Sequence, residues 1–220
     1  MKRIIPIILL VAAATNYLSA QKQIDIHAGY VNNHVVSTYK VWNSTLYDTV
    51  SAPGLMVGFG YNIPLKGELG LNVGANIEYY NDSDTVDVFG VAGVTASHTQ
   101  VDLVVPVLAS YGFPLGSGSR LSLFAGPVVN FGIVNKTKYH STVLIWSADR
   151  EVDWFDNDSE NGDEDKYVSR TTFSLTGGAR LDFGRIGIYG GYTYGLSDNY
   201  RSESRTGTSH RVYVGLNLNL

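Results

Sequence analysis

The chain has 220 residues, 44% of them hydrophobic and only 16% charged, with 24 glycines, 15 tyrosines, no cysteine and a formal net charge of -4. That length suits one domain and a short leader, and the lack of cysteine excludes a disulfide framework, a thiolate metal centre and a lipid-acylated cysteine anchor. No basic patch interleaved with aromatics occurs, which argues against nucleic acid as a partner.

Residues 1–20 read as a secretory signal peptide. Lys2 and Arg3 give a charged start, Ile4 to Ala14 is an apolar run too short to span a bilayer as a helix, and Tyr17-Leu-Ser-Ala20 ends in small residues before Gln21. The expected domain is therefore residues 21–220. No later apolar run reaches the length of a transmembrane helix.

From there the sequence alternates with period two, the signature of strands with one apolar and one polar face. Eight strands are expected, near Gln23–Val31, Pro53–Ile63, Glu68–Tyr80, Thr99–Phe113, Ser119–Ile133, Arg170–Phe183, Ile186–Tyr194 and Arg211–Leu220. The last shows the pattern best: Val212, Val214, Leu216, Leu218 and Leu220 share one face, while Arg211, Tyr213, Gly215, Asn217 and Asn219 share the other. The fourth strand's second face, with Val104, Pro106 and Leu108, is less polar than the pattern asks. Pro106 and Pro127 each remove a ladder donor and are expected to mark bulges.

The connections alternate long and short. The short ones are Pro64–Gly67, Pro114–Gly118 and Gly184-Arg185; the long ones are Asn32–Ala52, Asn81–His98, Val134–Ser169 and Gly195–Gly207. Short turns at one end and long loops at the other are the rhythm of an outer-membrane barrel. On the apolar phase, aromatics fall near both ends of the strands. Tyr30, Tyr79, Phe131, Phe173, Tyr192 and Tyr194 lie near the upper end, and Tyr61, Tyr111, Phe113 and Phe183 near the lower. Leu, Val, Ile and Ala fill the middle, as bilayer solvation selects. The alternative, a soluble barrel, would turn the aliphatic face inward. The expected fold is all-β: an eight-stranded antiparallel up-and-down transmembrane β-barrel.

These features together resemble the small outer-membrane β-barrel family, which takes in OmpA/OmpX-type barrels and porin-family or PorT-like barrel domains. The resemblance spans residues 21–220. It implies an integral protein of the outer membrane of a Gram-negative-type bacterium, in contact with outer-membrane lipid, and leaves the activity open.

Three kinds of chemistry are weighed. Between Asp149 and Asp165 nine acids accompany one base, Arg150; oxygen ligands at that density could hold a divalent cation such as Ca²⁺, but the spacing of an EF-hand is absent and a solvated loop explains the composition. His34, His98, His140 and His210 lie in or beside the long loops, and Ser209, Glu203 and Asp198 are near His210 in sequence, the raw material of an outer-leaflet lipid hydrolase or acyltransferase. No nucleophile-elbow motif accompanies them. Trp42, Trp146, Trp154 and Phe155 are candidate contact residues, on loops able to continue the strands as hairpins and meet an extracellular or outer-membrane protein partner. The reading carried forward is non-enzymatic, without a cofactor, with a side-chain-filled lumen and loops for interaction; the hydrolase and a narrow solute pore are the alternatives.

The inward phase collects Asp25, His27, Glu68, Glu78, Asp102, Arg120, Arg180, Asp182 and Arg211. Eight strands enclose a space that side chains can just fill, and charges there must pair or be hydrated. Strand order predicts contacts between Arg120 and Asp182, between Arg180 and Glu68 or Asp25, and between Arg211 and both Glu78 and Asp102.

Overall fold

The computed structural model describes residues 23–41, 44–88, 92–143, 146–155, 168–200 and 205–220. The leader, Trp42, residues 156–167 and Glu203 lie outside them, as does the side chain of Trp146.

Among the described residues there are nine strands: β1 (Gln23–Val41), β2 (Ser44–Pro64), β3 (Leu69–Val88), β4 (Ala92–Gly116), β5 (Ser119–Val143), β6 (Trp146–Asp153), β7 (Thr171–Phe183), β8 (Ile186–Gly195) and β9 (Arg205–Asn219). All pair antiparallel. Eight close a ring in the order β1-β2-β3-β4-β5-β7-β8-β9, with β9 pairing back to β1, while β6, among the described residues, pairs with β5 alone. Closure leaves no unpaired edge inside the membrane, where an unsatisfied backbone group would be costly.

The strands are longer than the alternation predicts, and much of each long connection is itself β-structure. β1 and β2 pair continuously from Gln23↔Asn62 to Val41↔Ser44, and β4 pairs with β5 up to Ala92↔Val143. Polar stretches such as Asn135–Thr142 carry no apolar phase because they pair in water above the bilayer.

The phase itself is as read. Leu55, Val57 and Phe59 are exposed on β2 while Met56 is buried between them. Val212, Val214, Leu216 and Leu218 are likewise exposed, and Arg211 and Asn217 buried. The aliphatic face points out and the polar face in, the reverse of a water-soluble barrel. Exposed Tyr30, Tyr79, Phe131, Phe173, Tyr192 and Tyr194 ring the long-loop end, and Tyr111, Phe113 and Phe183 the short-turn end.

Neither proline marks a bulge. Pro127 pairs in register with Leu175, and the β4–β5 register is unchanged on either side of Pro106. The bulge lies higher, where Val101 pairs with Val134 but Asp102 pairs with Gly132, leaving Ile133 over. One extra residue reverses the side-chain alternation of β5. Below it Val128 and Asn130 are buried; above it Asn135 and Thr137 are.

Candidate functional site

The lumen holds all nine of the charged residues and histidine named from the sequence, in two layers of different character. The upper layer is centred on Arg211, whose side chain is 4% exposed. Its Nη1 lies 3.1 Å from Glu78 Oε2 and donates to Asn130 Oδ1 at 2.6 Å; its Nη2 lies 3.5 Å from Asp102 Oδ2. The Tyr80 hydroxyl donates to Glu78 Oε2 at 2.5 Å, and Gln100 Nε2 to Asp102 Oδ2 at 2.7 Å. Val31, Met56 and Tyr80 pack beneath and around this network. The sequence places Arg211 with Glu78 and Asp102. It does not reveal Tyr80, Asn130 or Gln100, whose only signal is that they share the inward phase.

The lower layer is a polar ring. Arg180 Nε donates to Asp182 at 2.9 and 3.0 Å and Nη1 to Asp25 Oδ2 at 3.3 Å, and Arg180 also bonds Asn219. His27 joins Asp25 Oδ1 (2.9 Å) to Asn76 Oδ1 (2.8 Å), and Asn217 Nδ2 donates to Asp182 at 3.2 Å. Arg120 corrects the prediction made for it. Although Arg120 and Asp182 are register partners, Arg120 pairs with Glu68 Oε2 at 3.1 Å instead. The reason is steric and local: Gly112 on β4 has no side chain, so Arg120 lies across it towards β3, while Asp182 is occupied by Arg180 and Asn217.

Between the layers and the short turns is a cavity of about 370 Å³, lined down to Pro64, Gly67 and Leu69 of the β2–β3 turn. At this level side chains do not fill the lumen. Two tyrosines on the inner face have room because glycine stands opposite each: Tyr189 faces Gly215 and Tyr213 faces Gly191, where an added Cβ would come within 2.6 and 2.5 Å of the hydroxyls.

Above the upper layer, side chains fold back over the mouth. Phe155 lies on Gly132, with the Arg170 guanidinium 5.1 Å from its ring centre, and Trp154 Nε1 donates to the buried Thr137 at 2.7 Å. Trp154 and Phe155 are therefore turned inward over the mouth. On the other side Arg205 stacks on Tyr200 (3.8 Å) and Tyr39 (4.6 Å), and the Tyr200 hydroxyl lies 3.3 Å from Ser37 Oγ.

The remaining candidates are dispersed. Ser209 and His210 are adjacent on β9 and so point to opposite faces. Ser209 is buried and bonds Asn33, while His210 lies between Tyr192 and Tyr194. Asp198 accepts from the backbone of Tyr200 and Gly207. Among the described residues, no serine–histidine–acid set is assembled there. His98 bonds Thr137, and His34 sits opposite His210 in the β1–β9 ladder. The described part of the acidic stretch is answered by bases on β5: Asp149 meets His140 (2.5 Å), Glu151 meets Lys136 (2.8 Å) and Lys138 (3.6 Å), and Asp153 meets Lys136 (3.7 Å). Among the described residues, no three His, Asp or Glu side chains converge as metal ligands.

A closed antiparallel ring with an aliphatic exterior between two aromatic girdles and a charged interior defines an integral membrane β-barrel. The chain belongs to the outer membrane protein beta-barrel domain family, whose sequence profile matches residues 19–201, and it is an outer-membrane protein. No curated protein matches the sequence. Among solved structures, the chain is similar to Ail, the attachment invasion locus protein of Yersinia pestis, crystallised with the heparin analogue sucrose octasulfate (13% identity, TM-score 0.43, 91% of this chain and 100% of that one). It is also similar to Neisserial surface protein A (11%, 0.41, 89% and 97%) and to the N-terminal barrel of Pseudomonas aeruginosa OprF (13%, 0.31, 91% and 100%).

Proposed function

We propose that the protein is a non-enzymatic outer-membrane barrel, exported by its leader and seated in outer-membrane lipid, that works through its extracellular hairpins by binding another extracellular protein. One observation carries this reading. Above the girdle, residues Ser44–Pro53 of β2 pair with β1 alone, and Asn81–Val88 of β3 pair with β4 alone, since the β2–β3 ladder begins at Gly54↔Tyr80. Among the described residues, two strand edges therefore stand open side by side, and β6 has no second partner strand. Open backbone donors and acceptors accept an extended segment of a partner as an added strand. The plugged upper lumen makes the solute pore the weaker alternative, and the separation of Ser209 from His210 does the same for the hydrolase.

A photo-crosslinking residue at Thr49 or Thr85 tests this in intact cells. Capture of a protein at those edges, absent when the crosslinker stands at lipid-facing Leu216, is the expected result. No capture at either edge, together with a change in outer-leaflet lipid when the protein is removed, would replace this reading with the hydrolase.

A further inference from the structure

The lower lumen has two unlike walls. In the ring order, β4 and β5 stand diametrically opposite β9 and β1. The β4–β5 wall presents Val104, Pro106, Leu108, Phe124 and Val128 to the cavity, with Ser110, Ser122 and Arg120 nearer the rim; the facing wall presents Asn217, Tyr213, Asp25 and His27. This is the unusual inner face already visible on β4 in the sequence, and it leaves apolar surface looking across a space at hydrogen-bonding groups. A cavity lined partly by apolar side chains with a few converging polar groups is the form that small-molecule sites take, and about 370 Å³ lies within their usual size.

The polar wall is rich in carboxylate: Asp25 and Asp182 share one guanidinium, that of Arg180. The charge balance has the same sign. Asp25, Glu68, Glu78, Asp102 and Asp182 outnumber Arg120, Arg180 and Arg211 in the lumen, and they still do if His27 is protonated. What would complete this wall is a positive group carrying N–H donors; what would complete the other is an apolar body.

We infer that the lower lumen is a binding site for a small amphipathic organic cation, an amine on an apolar or aromatic body, reached from the short-turn end. The cavity wall extends to Pro64, Gly67 and Leu69 of the β2–β3 turn, at the end that faces the periplasm in outer-membrane barrels, whereas the Arg211 layer closes the way upward. The ammonium is placed against the Asp25 and Asp182 carboxylates, and the body against Val104, Leu108 and Phe124. The site is independent of the hairpins, so its failure would leave the proposed function standing, and the reverse.

The test uses the full barrel refolded in lipid nanodiscs with methyl-labelled valine and leucine, titrated with 2-phenylethylamine and, separately, with 3-phenylpropionate. The amine is expected to give saturable shifts at the Val104 and Leu108 methyls and at the Asn217 side-chain amide. The carboxylate, of similar size but opposite charge, is expected to bind at least about tenfold more weakly, because like charges oppose each other across a desolvated contact. Leu108→Trp, which fills the cavity, should abolish the saturable shifts at Val104 while leaving any lipid-partitioning shift at outward-facing Leu216; should that variant not refold, Ser110→Phe nearer the rim serves instead. Absence of saturation, equal binding of amine and carboxylate, or saturable shifts that survive the filled cavity would each overturn the proposal.

Discussion

Arg211 and Arg120 both point into the same lumen, and each meets carboxylates at 3.1 Å. They differ in water. The Arg211 side chain is 4% exposed and held by Glu78, Asp102 and Asn130; that of Arg120 is 48% exposed and paired at the rim with Glu68. The upper lumen is thus a solvent-shielded ion-pair network, and the lower lumen a ring around a space that opens to solvent at its rim. Distance alone does not show which ion pair matters: removing one partner strands the other only where solvent cannot reach it.

The largest expected effect tests that contrast directly. Arg211→Met leaves Glu78 and Asp102 buried without their cation and should lower stability by about 3–5 kcal/mol in a urea unfolding titration in liposomes. Adding Glu78→Gln and Asp102→Asn to that variant should restore much of the loss; if it does not, the network is not what holds the upper lumen. Next comes the inside-versus-outside comparison. Leu216→Arg faces lipid near mid-membrane and should cost about 2–4 kcal/mol, whereas Asn217→Arg, one residue on, meets the acid-rich lower lumen and should cost less. A reversed order would mean that the apolar face is not the one in lipid.

Arg120→Ala is the counterpart of the Arg211 variant and should cost less than about 1 kcal/mol, as exposed pairs do. A loss as large as that of Arg211→Met would erase the distinction between the layers. The smallest effect lies outside the membrane, on β6. The hydrogen bond from Lys136 holds the Glu151 carboxyl below its ordinary range and raises the Lys136 ammonium above its own. The Glu151 contribution is present above the unfolded carboxylate value near 4.5 and is lost as pH falls through the lower folded value; the Lys136 contribution is present below 10.5 and is lost as pH rises through the higher one. Amide protection along β6, corrected for the intrinsic pH dependence of exchange, should therefore be level between those limits and fall beyond each, with the barrel amides unmoved. Glu151→Gln should remove the acid-side change.

Much of this fold is legible in the sequence because lipid and lumen impose opposite demands on alternate residues, so each bilayer-crossing strand carries its orientation in its own pattern. That is why Arg211, Glu78 and Asp102 could be grouped from parity and strand order. Three things are not written in that pattern. The hairpins above the girdle have water on their outer face, so stretches such as Lys136–Thr142 alternate polar with polar and read as loop. The partner of Arg120 depends on side-chain reach over Gly112, which register does not contain. The inward turn of Trp154 and Phe155 depends on a bare glycine on the wall that receives them. The two-faced lower lumen lies between these cases: the apolar inner phase of β4 was visible, but what it faces became apparent only when the ring closed.

The extra residue on β5 has a consequence of a different kind. Ile133 acts on side chains as a one-base insertion acts on codons: everything beyond it is read in another frame. Above it Asn135 and Thr137 turn inward, Thr137 meeting both Trp154 and His98, and Lys136, Lys138 and His140 turn outward to their acidic partners on β6. A chain lacking that single residue would keep its composition, charges and strand lengths almost unchanged. It would nevertheless present two lysines to the barrel mouth and two neutral side chains to the acids of β6. The inside-out assignment of the upper third of this wall is thus stored in one position, and a search for relatives by composition or hydropathy would not see it.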